Sequence, residues 1–115
     1  MSRAIPESAV RDARQSAPVF AALGDRTRLT LLTKLSSGTR FSIARLSKGS
    51  PLTRQAITKH LLVLEEVGLI RSVRQGRENL FELQPKRLDE ARRTLEIISD
   101  QWDQALARLK TLVEE

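Results

Sequence analysis

The sequence predicts a mainly α-helical fold with a single small β-hairpin. Three observations carry that expectation. Leucines and isoleucines recur at helical spacing through the first part of the chain. Two short β-type segments, Leu69–Arg74 and Glu78–Leu83, flank a turn around Gly76. From Leu88 onward no proline or glycine interrupts a helical pattern. With 115 residues, 40% of them apolar, the chain can bury one modest core.

The N-terminal segment is rich in Ala, Ser and charge and carries Pro6 and Pro18, so a short, frayed helix followed by a break is expected there. Val19–Leu23 reads as a turn or two of helix ending at Gly24, after which Asp25 caps a second helix. On that second helix Leu29, Leu32 and Leu35 define the expected buried face, widened by Leu31, before Ser36, Ser37 and Gly38 end it. Ser42 caps a brief third helix carrying Ile43, Ala44 and Leu46, which stops around Lys48–Pro51. Thr53 caps a fourth, whose Ile57, Leu61, Leu64 and Val67 share one face and which Gly68 terminates. Gln75, Gly76 and Arg77 make the turn of the hairpin.

A short helix and a capped longer one, joined by a tight turn at Gly49–Leu52 and followed by a hairpin, make a winged helix-turn-helix. Extra N- and C-terminal helices are expected to serve dimerisation. The expected organisation is a single domain over 1–115, with an N-terminal extension at 1–16, a winged-helix core at 17–83 and a C-terminal dimerisation helix at 86–115.

The sequence holds no cysteine, which removes disulfides, thiolate metal sites and a cysteine nucleophile. No stretch approaches the length of an apolar membrane span and the opening lacks a secretory signal, so a cytoplasmic location without membrane contact is expected. Its net charge of +6 is unevenly placed. Between Arg40 and Arg77 eight basic residues face only Glu65 and Glu66, whereas the segment from Glu82 onward is slightly acidic. A polyanion partner for the middle of the chain follows.

On the fourth helix, stepping about 100° per residue from Ile57, Arg54, Gln55, Thr58 and Lys59 fall between about 60° and 200°, opposite the buried arc. Together with the capping Thr53 they are the candidate reading surface for double-stranded DNA. Arg suits guanine edges, Gln adenine, Thr bases or phosphate, and Lys phosphate. The plainer alternative is a solvated helix face, but such a face needs neither the preceding turn nor the basic hairpin that follows. On that hairpin Arg71, Arg74 and Arg77 can meet the DNA backbone or the minor groove, Arg74 and Arg77 being nearest the turn. His60, the sole histidine, lies at the edge of the buried arc and is expected to pack rather than to meet phosphate.

In the last helix Leu88, Ala91, Leu95, Ile98, Trp102, Ala105, Leu109 and Leu112 follow alternating spacings of three and four. A helix of about 25 residues is roughly 37 Å long, more than so small a domain covers, so part of the seam is expected to meet a second copy. The expected homodimer interface comprises Phe20, Leu95, Ile98, Trp102, Ala105, Leu109 and Leu112. A two-fold dimer sets its recognition helices about 34–36 Å apart, one turn of DNA.

Three segments together resemble the ArsR family of winged-helix repressors: Ala22-Leu23-Gly24-Asp25-Arg26-Thr27-Arg28-Leu29, then Leu52-Thr53-Arg54-Gln55-Ala56-Ile57-Thr58-Lys59-His60-Leu61, and Leu64-Glu65-Glu66-Val67-Gly68-Leu69-Ile70. The segment from Ile97 to Leu112 around Trp102 further looks like the metal-independent branch often encoded beside START-like ligand-binding proteins. The resemblance implies a dimer built from the first and last helices, with Arg54, Gln55, Thr58 and Lys59 approaching the major groove. Metal-sensing members often carry two cysteines in the third helix, where this chain has Ser42 and Ala44, and the last helix contains no histidine for the alternative site. The expected function is therefore a sequence-specific, dimeric repressor acting on a palindromic operator without a metal or other cofactor, its small-molecule effector unknown. A winged-helix module that binds protein or structured RNA through the same basic face is the alternative. An enzyme is not expected, since the sequence has no phosphate-cradling glycine loop and no recognisable acid-base set.

Overall fold

A computed structural model describes residues 4–114. Residues 1–3 and 115, assigned above to the N-terminal extension and the last helix, lie outside the described residues. The order of elements is α1 (Glu7–Leu23), α2 (Arg26–Leu35), β1 (Phe41–Ser42), α3 (Ile43–Ser47), α4 (Arg54–Glu66), β2 (Ile70–Gln75), β3 (Glu78–Leu83) and α5 (Pro85–Glu114).

The caps read from the sequence are formed. Asp25 accepts the backbone N–H of Arg28 at 3.0 Å, Ser42 that of Arg45 at 3.2 Å and Thr53 that of Ala56 at 3.1 Å, each relieving an orphan donor in a first turn. At the other end of α4, Gly68 takes φ +81, its N–H donates to the carbonyl of Glu65, and the N–H of Leu69 returns to Leu64. This is a Schellman closure, in which only glycine adopts the left-handed backbone without strain. A side chain there would also meet the Cγ of Arg87 at 3.0 Å.

Three expectations are corrected. First, no break occurs near Pro18: α1 is one helix that runs through it. Proline costs a helix one hydrogen bond and about 3 kcal/mol. Burial offsets that cost here, because Ser16, Val19 and Ala22 face the interior while Pro18 itself is exposed, and α1 packs along α5 and against α2. Second, Leu29 is 49% exposed; the buried face of α2 is Leu31, Leu32 and Leu35. That arc is centred about 115° from Leu29, so the i, i+3, i+6 series drifted off the core at its first member. Third, the hairpin is part of a three-stranded antiparallel sheet of order β1-β3-β2, with Phe41 opposite Phe81 and Ser42 opposite Leu80.

The β2–β3 turn is tighter than expected. Gln75 pairs with Glu78, leaving only Gly76 and Arg77 between the strands, and the positive φ of Gly76 in first place is the II′ pattern that suits a twisted hairpin.

One core joins all layers. Leu35, Leu46, Ile57, Leu61, Leu64, Leu69 and Ile70 are fully buried, with Val19, Phe81 and Ala91 closing it from α1, β3 and α5. From α5 itself only Ala91 and Thr94 are buried and Leu88 packs against the core. At 30 residues that helix is about 45 Å long, which gives the molecule its 66 Å long axis against 29 and 21 Å across. No helix among the described residues is long and apolar enough to cross a membrane.

Candidate nucleic-acid interface

The buried and exposed faces of α4 divide as its sequence dictates. Ile57, Leu61 and Leu64 anchor the helix, and on the other side Arg54, Gln55 and Lys59 are exposed with Thr58 half-buried beside them. These four side chains, with Ile43 of α3, line one open depression of about 600 Å³. Thr53 is exposed at the head of the helix, its hydroxyl oxygen occupied by the cap. The Thr58 hydroxyl donates to the carbonyl of Arg54, one turn back, at 2.7 Å.

The charges on this side differ in how they are held. Arg40 and Arg71 are both committed to Glu82, donating from Nε at 2.8 and 2.6 Å, and this shared carboxylate ties β2 and the segment before β1 to β3. The two guanidinium groups, Arg40 first, hold the Glu82 carboxyl below its ordinary range. By contrast Arg54, Lys59, Arg74 and Arg77 form no ion pair with another described residue and are all exposed. Exposed cations without an internal partner keep their full charge available to an external anion. Arg74 and Arg77 stand at the end of the hairpin, outside the depression lined by α4.

Several contacts escaped the sequence reading. Glu65 accepts hydrogen bonds from Ser72 of β2, fixing the hairpin to the end of α4. Arg45 lies over the ring of Phe41, 4.4 Å from its centroid, so one of the excess cations stacks on the sheet. His60 is partly buried, with Nδ1 3.8 Å from the Asp25 carboxylate that caps α2. Asp25 is held below the usual carboxylate range, chiefly by the backbone N–H of Arg28. Arg28 in turn donates from Nε to the Ala22 carbonyl at 2.8 Å, so this corner ties the end of α1 to the start of α2.

Of the residues expected at a dimer interface, Leu95, Ile98, Trp102, Leu109 and Leu112 are exposed, Trp102 by 64%, and Ala105 and Phe20 are half-buried, Phe20 against the core. They continue the stripe that Leu88 and Ala91 begin inside the domain. Leu106 and Val113, which the alternating spacing leaves out, widen it. Beside it Ile5, Ile97, Ile98, Gln101, Trp102 and Ala105 line an apolar groove of about 360 Å³. Among the described residues no group of three His, Cys, Asp or Glu side chains is gathered closely enough to hold a metal ion.

No protein-family model matches the chain. It is 42% identical over 65 residues to the uncharacterised HTH-type transcriptional regulator YuzN of Bacillus subtilis (strain 168), a match covering 51% of this chain and 71% of that relative. Among solved structures, an ArsR-like transcriptional regulator from Rhodococcus sp. RHA1 superposes with a TM-score of 0.71 at 41% identity, covering 86% of this chain and 92% of that one. A second ArsR family transcriptional regulator superposes with a TM-score of 0.65 at 25% identity, covering 88% and 97%. With its winged-helix architecture and this degree of identity over nearly the whole of a solved relative, the chain belongs to the ArsR family of transcriptional regulators.

Proposed function

We propose that the protein is a sequence-specific DNA-binding repressor that acts as a homodimer in the cytoplasm. The α4 helix enters the major groove of a palindromic operator, with Arg54 and Gln55 on base edges, Thr58 on bases, and Thr53 and Lys59 on bases or phosphate. The hairpin is the wing, and Arg74 and Arg77 meet the flanking backbone or minor groove. The carrying observation is that Arg54 and Lys59 of α4 and Arg74 and Arg77 of the hairpin are exposed and form no ion pair with a described residue, whereas the neighbouring Arg40 and Arg71 are taken up by Glu82.

The dimer forms through α1 and the apolar stripe of α5, where Leu95, Ile98, Trp102, Leu109 and Leu112 are each at least half exposed. Metal does not drive release: α3 and its cap offer Ala44 and Ser42 in place of cysteines, and α5 contains no histidine. This agrees with the metal-independent branch found beside START-like ligand-binding proteins.

The test is a salt titration on a duplex selected by the protein from a random pool. Affinity falls linearly in log salt by about 0.9 per phosphate neutralised, and preference for the selected duplex persists at every salt concentration. Binding with no preferred duplex, or preference for structured RNA, supports instead an interaction module using the same basic face.

A further inference from the structure

Leu62 lies on α4 with 54% of its surface exposed. Single exposed leucines are ordinary, so exposure alone says little. Its position says more. Stepping from the buried Ile57, Leu62 falls at about 140°, between Thr58 at about 100° and Lys59 at about 200°, and two turns beyond Gln55 at about 160°. The stripe Gln55, Thr58, Lys59, Leu62 therefore runs down the middle of the reading face. A helical side chain leans toward the N-terminus and covers the turn before its own, so Leu62 covers the turn that carries Thr58 and Lys59.

Thr58 adds a second, independent observation. Its hydroxyl proton is spent on the Arg54 carbonyl at 2.7 Å, which leaves the methyl group as the part of this side chain not engaged by the helix. A threonine methyl followed one turn later by a leucine makes an apolar patch in an otherwise polar and cationic face. Beyond it the character of the helix reverses, because Glu65 is turned to the hairpin and the exposed Glu66 follows. Carboxylates repel phosphate, so Leu62 marks the end of the α4 surface that a duplex can approach.

The apolar group that the major groove displays on base edges is the pyrimidine C5-methyl. We propose that Leu62 and the Thr58 methyl form a contact for that group, so that the protein distinguishes a pyrimidine carrying it from one that lacks it. This rests on the DNA-reading function proposed above. The methyl belongs to thymine or to 5-methylcytosine, and the two sources are separable by substitution in the DNA.

The experiment uses the full chain and the duplex it selects from a random pool, at one fixed salt concentration. Each thymine in turn is replaced by uracil, and each cytosine by 5-methylcytosine. For the unaltered protein one thymine-to-uracil change weakens binding about four-fold, the worth of a buried methyl-sized group. If the source is methylated DNA, one cytosine methylation strengthens binding by a similar factor. Leu62→Ala removes the response at that position while responses elsewhere persist; thermal melting confirms that this exposed substitution leaves the fold intact. A selected duplex at which the unaltered protein and Leu62→Ala respond alike at every pyrimidine overturns the inference alone. A pool that yields no preferred duplex overturns the DNA reading and the inference with it.

Discussion

Glu65, in the last turn of α4, accepts two hydrogen bonds from Ser72 of β2, from the backbone N–H at 2.9 Å and from the hydroxyl at 2.6 Å. β2 is an edge strand, with β3 on one side only, so this N–H has no sheet partner to take it. The carboxylate closes the open edge and holds the hairpin to the helix that it accompanies. Replacing Glu65 by Ala is expected to speed amide exchange at Ser72 and to weaken duplex binding through a looser wing. Glu65→Gln keeps an acceptor and should retain most of the protection. Unchanged exchange at Ser72 in the alanine variant would show that the clasp does not order the hairpin.

Acid should loosen the same sheet by a different route. Glu82 is held below its ordinary range by Arg40 and then Arg71, and Asp25 by the N–H of Arg28. A depressed folded pKa gives stability that is present above the unfolded value, about 4 for these carboxyls, and is lost as pH falls through the lower folded value. The melting temperature is therefore expected to fall on acidification below about pH 4. Glu82→Gln should lower it at neutral pH and flatten the acid decline. An acid profile identical to that of the unaltered protein would remove Glu82 from the account.

Trp102 tests the assembly. It is the largest side chain on the exposed stripe and contributes nothing to the buried core, so Trp102→Glu should leave the monomer folded. Burying a carboxylate against a second apolar helix is costly. Sedimentation of the variant is expected to give a monomer, with much weaker operator binding because two half-sites are no longer engaged together. A dimer of unchanged affinity would place the interface elsewhere.

Much of this architecture is written locally in the chain. Asp25, Ser42 and Thr53 announce their helices because a short polar side chain before an apolar run satisfies a donor that the helix cannot, and Gly68 and Gly76 mark conformations with positive φ. The features that were not legible depend on distant partners. β1 is two residues long and exists only because Phe41 meets Phe81, forty positions away. Pro18 looked like a stop because the burial of Val19 and Ala22 that outweighs it involves α2 and α5. Leu29 was placed in the core by a three-residue period that drifts from the true 3.6.

The proposed reading surface shows the same division. The helical wheel placed Arg54, Gln55, Thr58 and Lys59 on one side of α4, where they line a common depression. Which cations remain unpaired could not be read, since Arg71 and Arg40 are taken up by Glu82 only once β3 brings that carboxylate between them.

The most direct measurement is duplex affinity and sequence preference for the variant Arg54→Ala/Gln55→Ala, set against the unaltered protein on the selected duplex and on a scrambled one. Each good bidentate base contact is worth about 1–3 kcal/mol of discrimination. Loss of both should therefore cut the preference at least about thirty-fold, while residual salt-dependent binding through Lys59, Arg74 and Arg77 remains. A double variant that binds as tightly and discriminates as well as the original would show that α4 does not read the DNA.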